Sequence, residues 1–167
     1  MKYILTALQI GKPYRGKWKW YDPIKGHTGV DLNFFNQPLP SPVSGKVMLL
    51  AGKGQSHPMQ REMGNVIYLA DKETGSIHVF AHMLSFAVTE GQHVERNQIL
   101  GVTGNTGTAS TGPHLHWEII SFQKPTKFLD RIMTRSLQGF VGWNIEPLSY
   151  LRNLYDKYGI DIKGFKK

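Results

Sequence analysis

The stretch Gly112-Pro113-His114-Leu115-His116-Trp117-Glu118-Ile119-Ile120 decides how this chain is read. Its bulky residues from His114 onward predict a strand. Side chains alternate along a strand, so His114, His116 and Glu118 project from one face and Leu115 from the other. Two imidazoles side by side each need a hydrogen-bond partner and sit awkwardly in a plain core; they suit a metal site. The preceding segment 104–113 (GNTGTASTGP) is a loop by composition. It lacks the Gly-Lys-Ser/Thr ending of a phosphate cradle and leads into a strand rather than a helix, so it reads as a turn that delivers the His-x-His strand.

Most of the chain outside this stretch carries β signals. Segments 43–51, 65–70 and 98–103 read as strands, with a turn at Ser44-Gly45. Asp71 to Gly75 reads as a hairpin turn with 76–82 (SIHVFAH) as its return strand, which His82 ends. A Gly-centred turn lies within Val88 to Val94. Segment 52–63 is a long polar loop. Within 121–145, FLDRIMTRSLQGF has room for a short helix, and Pro147 can start a last helix over 148–158. The expectation is a mainly β protein, one antiparallel β-sheet domain with short peripheral helices, one of them at the C-terminus. The whole of 1–167 then forms a single domain: an extension over 1–26, a core over 27–120, and an insertion plus helix over 121–167.

Composition bounds the chemistry. The 167 residues, 40% hydrophobic and 19% charged, suit one globular domain rather than a disordered chain. There is no cysteine, which excludes disulfides and thiolate ligands and leaves His, Asp and Glu to hold any metal. The net charge of +8 attracts polyanions, with clusters at Lys12, Arg15, Lys17 and Lys19 and at Lys157, Lys163, Lys166 and Lys167. These basic residues form no long run, and nucleic acid is not the expected partner. No run approaches the roughly 18 apolar residues of a transmembrane span. Residues 1–18 resemble a signal peptide faintly, with an apolar stretch broken by Gln9 and no small-residue cleavage site.

A second group of possible donors lies upstream. In His27-Thr-Gly-Val-Asp31 the two donors are four residues apart, with a glycine between them that permits a sharp turn. His27, Asp31 and one of the paired histidines would supply three protein ligands, the usual number at a catalytic zinc, and the other histidine is then free to act on water. Taken alone, each pair is a common accident of sequence.

The combination is not. The order His-x-Gly-x-Asp (27–31), aromatic-Ala-His (80–82), then Gly-x-Thr-Gly, then Gly-Pro-His-Leu-His-aromatic-Glu (112–118) resembles the lysostaphin/LytM-type zinc metallopeptidases. The resemblance runs from about His27 to Ile120, with an echo in Glu146-Pro-Leu-Ser-Tyr-Leu151. Gly64-Asn-Val66, Val88-Thr-Glu-Gly-Gln-His-Val94 and, more loosely, Pro42-Val-Ser-Gly-Lys-Val47 agree with it.

The resemblance implies a fold of the duplicated-hybrid-motif type. It implies a Zn2+ ion held by His27, Asp31 and His116, with His82 and His114 lining the active site. One of the two histidines acts as general base toward water and the other helps stabilise the oxyanion; His114 is the favoured base. It also implies hydrolysis of peptide bonds in peptidoglycan stem or cross-bridge peptides, without an organic cofactor. Tyr21 stands near the place of an oxyanion-stabilising tyrosine in some relatives. Glu118 is a candidate to fix an imidazole, or else forms a plain salt bridge or faces solvent. Asn65 orders a strand edge or contacts substrate, the former favoured. Phe80 stands where the family often has Tyr, and 52–63 and 121–145 look longer than in compact relatives. His57, His78 and His93 match no ligand position and read as surface or structural.

The expected setting is the bacterial wall, reached from the periplasm or from outside, with a phage-type lysin or virion-associated protein favoured over a secreted mature hydrolase. The expected partners are the peptidoglycan peptide, anionic wall polymers and, for a virion component, phage tail proteins. The competing expectation is a non-catalytic zinc-binding scaffold or an activator of other wall hydrolases.

Overall fold

A computed structural model describes residues 10–12, 15, 27–33, 35–52, 60–121, 144–147, 149–150 and 153. In chain order the elements are β1 (Ile10–Lys12), β2 (Val30–Leu32), β3 (Pro38–Pro40), β4 (Gly45–Ala51), α1 (Gln60–Met63), β5 (Asn65–Asp71), β6 (Ile77–Phe86), β7 (His93–Val94), β8 (Ile99–Thr103), β9 (Leu115–Ile120) and β10 (Asn144–Ile145). The described strands form one antiparallel sheet, in the order β1-β2-β9-β6-β5-β4-β7, with β10 on β9 and β3 on β8. The mainly β expectation is met.

The hairpin at 71–75 forms where its residues predict it. Asp71 Oδ1 accepts the Glu73 N–H at 2.9 Å, and Gly75 takes φ +69°, a left-handed conformation that costs glycine little. The return strand does not end at His82, as its sequence suggests, but runs on to Phe86. It changes partner on the way: β6 pairs with β9 as far as Ala81↔His116, then with β8 from Met83↔Thr103. His82 stands at the fork with φ +63°.

That one residue swaps the faces of the strand. Before it, His78 and Phe80 lie on the face of the main core, against Trp117, while Ile77, Val79 and Ala81 lie on the other face. Regular alternation would send His82 into the main core. Met83 goes there instead, and His82 is turned onto the face that carries His116.

β9 is buried along its whole length. Leu115, Trp117 and Ile119 enter the main core with Val30, Leu32, Ile67, Leu69 and Phe80, each large apolar side chain contributing about 1.5–3 kcal/mol. Phe80 stacks on Trp117 at 6.0 Å between ring centroids, so an aromatic ring without a hydroxyl suits its place.

Several elements depart from the sequence reading. Within the expected N-terminal extension, β1 pairs with β2 and joins the sheet. Within the expected long loop 52–63, residues 60–63 form α1. Within 121–145, Asn144 and Ile145 form a strand on β9; the helix expected there lies outside the described residues. Pro147, Ser149, Tyr150 and Asn153 are helical, as expected of the last helix, and the remainder of it lies outside the described residues.

His78 is fully buried, stacked on Trp117 and met edge-on by Tyr150. It accepts the Trp117 Nε1–H at Nδ1, 3.3 Å away, so the neutral ring carries its proton on Nε2, which has no partner among the described residues. Burial pushes this imidazole down from its ordinary 6.5 to about 4, against the pull of Asp71. Between those two values the unfolded chain binds a proton that the folded chain refuses. The stability held by neutral His78 is complete above about pH 6.5 and is lost as pH falls toward 4, by about 1 kcal/mol per pH unit. Urea unfolding across this range is expected to show a shallower pH slope for His78→Gln, which keeps an acceptor for Trp117. Parallel slopes would contradict the assignment.

Candidate metal centre and active site

Three strands bring the site together. β2 pairs with β9 so that Asp31 lies opposite His116, and β9 pairs with β6 so that His116 lies opposite Ala81. Paired residues share a face, which sets Asp31, His116 and Glu118 on the side to which His82 is turned. His27 precedes β2, its carbonyl accepting the Arg15 N–H at 2.9 Å. Gly29 sits here for a reason other than turn formation. A Cβ would overlap the Trp117 carbonyl, so only glycine lets this segment lie against β9.

His27 Nε2, Asp31 Oδ1 and His116 Nδ1 form a nearly equilateral triangle. The separations are 3.2 Å from His27 to Asp31, 3.0 Å from His116 to Asp31 and 3.1 Å between the two imidazoles. All three residues are buried, and together they make a group able to hold a metal ion. Burial opposes the Asp31 charge, but hydrogen bonds and charge from His116 and His27 outweigh it and hold the carboxyl well below the usual carboxylate range. Burial likewise opposes a charged His116, yet Asp31 and Glu118 push it up to about 9. The pocket is therefore built for positive charge.

Glu118 does share the face of His116, as strand alternation predicts. Its Oε2 lies 3.4 Å from His116 Nε2 and accepts the Thr28 hydroxyl at 3.0 Å. Glu118 thus orients the ring nitrogen that faces away from the triangle, which favours the imidazole-fixing role over a solvent-facing one.

His82 and His114 lie beside the triangle with ring centroids 4.6 Å apart. Each has Nδ1 on a backbone carbonyl: His82 on Thr106 O and His114 on Gly112 O, both at 2.7 Å. A carbonyl only accepts, so each Nδ1 carries the hydrogen and each neutral ring presents Nε2 as an acceptor. His114 Nε2 is 3.6 Å from Asp31 Oδ1. Burial and then the charge of His116 push His82 down to about 4, so it is neutral at pH 7.

The five expected positions, His27, Asp31, His82, His114 and His116, are all brought together. Tyr21 and His57 lie outside the described residues. His78 is a core residue and His93 is exposed on β7, so neither joins the site. Sequence reasoning missed Thr28, Thr106 and the Gly112 carbonyl, which act through a neighbour. Their only signal was their place inside the two glycine-containing motifs.

The model of peptidase family M23 matches residues 25–128, more than half of the chain. The chain belongs to peptidase family M23. Among curated proteins, it is 32% identical over 127 residues to the peptidoglycan DD-endopeptidase ShyA of Vibrio cholerae, a match covering 68% of this chain and 27% of ShyA. The chain therefore spans about a quarter of the length of that relative. Among solved structures, the catalytic domain of the antimicrobial peptidase lysostaphin from Staphylococcus simulans superposes with a TM-score of 0.63 at 25% identity, over 87% of this chain and 92% of that domain. A zinc-containing peptidase from Vibrio cholerae gives a TM-score of 0.54 at 28% identity, over 67% of this chain and 33% of the other. The lysostaphin/LytM-type resemblance carried by the sequence motifs is thus that of the M23 family.

Proposed function

We propose that this protein is a zinc-dependent endopeptidase that cuts peptide bonds in the stem or cross-bridge peptides of bacterial peptidoglycan. The observation that carries the reading is the buried His27–Asp31–His116 triangle with two further histidines at its edge. Zinc about 2.0–2.2 Å from tetrahedrally arranged His and carboxylate donors sets those donors roughly 3.3 Å apart. The observed 3.0, 3.1 and 3.2 Å suit it. Three protein donors also leave a position for water or substrate, the pattern of a catalytic rather than a structural zinc.

His27, Asp31 and His116 would hold the ion, with Glu118 orienting His116. When bound, zinc acidifies water and polarises a carbonyl. His114 is the general base of this reading: its Nε2 is unprotonated in the neutral tautomer and stands next to the ligand Asp31. The proton it takes from the attacking water goes on to the leaving amine. His82 presents Nε2 as an acceptor in its neutral form, so it can orient the water, and it supports an oxyanion only once protonated. Tyr21 remains a candidate oxyanion donor on sequence grounds.

ShyA and ShyC, both similar to this chain, are peptidoglycan DD-endopeptidases, which favours a cross-link between D-residues as the target here. We read residues 1–167 as one peptidase domain around a 27–120 core, and the family match over 25–128 supports those core limits. The wall, reached from the periplasm or from outside, is the proposed place of action, with a phage-encoded lysin as one source. The surface charge would favour retention on anionic wall polymers.

Zymography on cell walls tests the activity: clearing by zinc-loaded protein supports it. No clearing, together with His114→Ala behaving as the parent protein does, would favour the scaffold reading. Glu118→Gln is expected to weaken zinc binding by roughly 10–100-fold, measured by chelator competition. Unchanged affinity would remove Glu118 from the site.

A further inference from the structure

One loop residue, Thr106, holds His82 at its ring and its carbonyl and holds the next residue, Met83, as well. Thr106 O accepts from the His82 ring at Nδ1, and the Thr106 N–H approaches the His82 carbonyl at 3.5 Å. The Thr106 hydroxyl donates to the carbonyl of Met83, the next residue, at 2.9 Å, and accepts the Asn65 backbone N–H at 2.9 Å. Asn65 Nδ2 donates to the same Met83 carbonyl at 3.0 Å. These bonds converge where the register of both β5–β6 and β6–β8 shifts and where His82 holds its left-handed φ.

The loop itself is locked against the α1–β5 turn. The Thr108 and Ala109 N–H groups donate to the carbonyls of Arg61 and Glu62 at 2.8 and 3.0 Å. Gly64 and Gly107, both at positive φ, meet so closely that a Cβ on either would overlap the other's backbone. Thr106 is therefore a fixed point to which both the ring and the main chain at His82 are tied.

We propose that the Thr106 hydroxyl, assisted by the Asn65 side chain, is a positioning device for His82: it holds the left-handed bulge that turns the ring to the metal side and keeps Nδ1 on the Thr106 carbonyl, so that Nε2 faces substrate. This rests on the reading of His82 as an active-site residue. Asn65 thereby orders a strand edge, the role favoured from sequence, but one whose consequence is carried to the reaction. A side chain that acts through geometry affects turnover more than binding, and displacement of a reacting group by about 1 Å can cost roughly 100-fold.

The test compares the full zinc-loaded chain with Thr106→Val and Thr106→Ser. Long-range 1H–15N spectra report the His82 tautomer, chelator competition reports zinc, and soluble cross-linked muropeptides report kcat and KM. Thr106→Val is expected to keep wild-type zinc affinity and KM, to lose roughly 10–100-fold in kcat, and to show His82 no longer fixed with its proton on Nδ1. Thr106→Ser is expected to restore both. A wild-type tautomer and kcat in Thr106→Val, or failure of Thr106→Ser to rescue, overturns the proposal. If Thr106→Val does not fold, Asn65→Ala, which removes the second donor to Met83 O, carries the same two readouts with the same outcomes. The ring spectrum decides the proposal even if the wild-type protein cleaves no muropeptide, which would count against the endopeptidase reading instead.

Discussion

Replacing His116 with alanine is expected to remove stoichiometric zinc and to lower peptidoglycan hydrolysis by roughly a thousandfold or more. A bound zinc ion would supply several kcal/mol of charge stabilisation, and each ~1.4 kcal/mol of barrier is a factor of ten. His116 is the residue on which the site converges. It stands opposite Asp31 in the sheet, touches His27 across the triangle and is backed by Glu118. Its loss also removes a buried hydrogen-bond partner of Asp31 and of Glu118, so part of the cost falls on stability. Asp31→Asn separates the two effects, since it keeps the shape but removes the ligand charge. It is expected to lose zinc with a smaller change in melting temperature. Metal analysis after dialysis and a thermal melt check both variants; wild-type zinc content in either would contradict the ligand assignment.

The second large effect is on turnover without loss of metal. His114→Ala is expected to bind zinc with near wild-type affinity and to lose roughly 10²–10⁴-fold in kcat, the usual contribution of a positioned acid–base group. His114 is held by backbone through Gly112 O, with Ser110 Oγ 3.3 Å from the same nitrogen, so its removal leaves the triangle standing. His82→Ala is expected to retain zinc too, with a loss no larger than that of His114→Ala. The two rings carry the same hydrogen-bond pattern, so the rank of the two losses tells which of them takes the proton. A greater loss for His82→Ala would reverse the roles, and loss of zinc in His114→Ala would move it into the ligand set.

The candidate site was legible in the sequence because its members lie in short motifs whose order is more specific than any one of them. Strand alternation was enough to place His114, His116 and Glu118 on one side of β9. The strands at 65–71, 99–103 and 115–120 were legible as apolar runs bounded by turn residues. β1, β2 and β3 were not, being three residues each, too short for any period to register.

The face of His82 was not legible either. Alternation assigns it to the side of His78 and Phe80, whereas a positive φ at a non-glycine residue, imposed by loop 104–109, puts it on the other side. Backbone conformation enforced from a distant loop leaves no mark in local side-chain pattern. Gly29 gives a related lesson. The sequence suggests a turn residue there, whereas the close approach of the Trp117 carbonyl is what excludes a side chain.

Mass spectrometry of purified peptidoglycan digested by the zinc-loaded protein tests the proposed endopeptidase activity most directly. The expected products are fragments in which one peptide bond of a stem or cross-bridge has gained the elements of water, with the glycan strands intact, and these fragments disappear with the chelated protein and with His116→Ala. An unchanged fragment pattern with zinc-loaded protein, or the same cleavage by His116→Ala freed of metal, would contradict it.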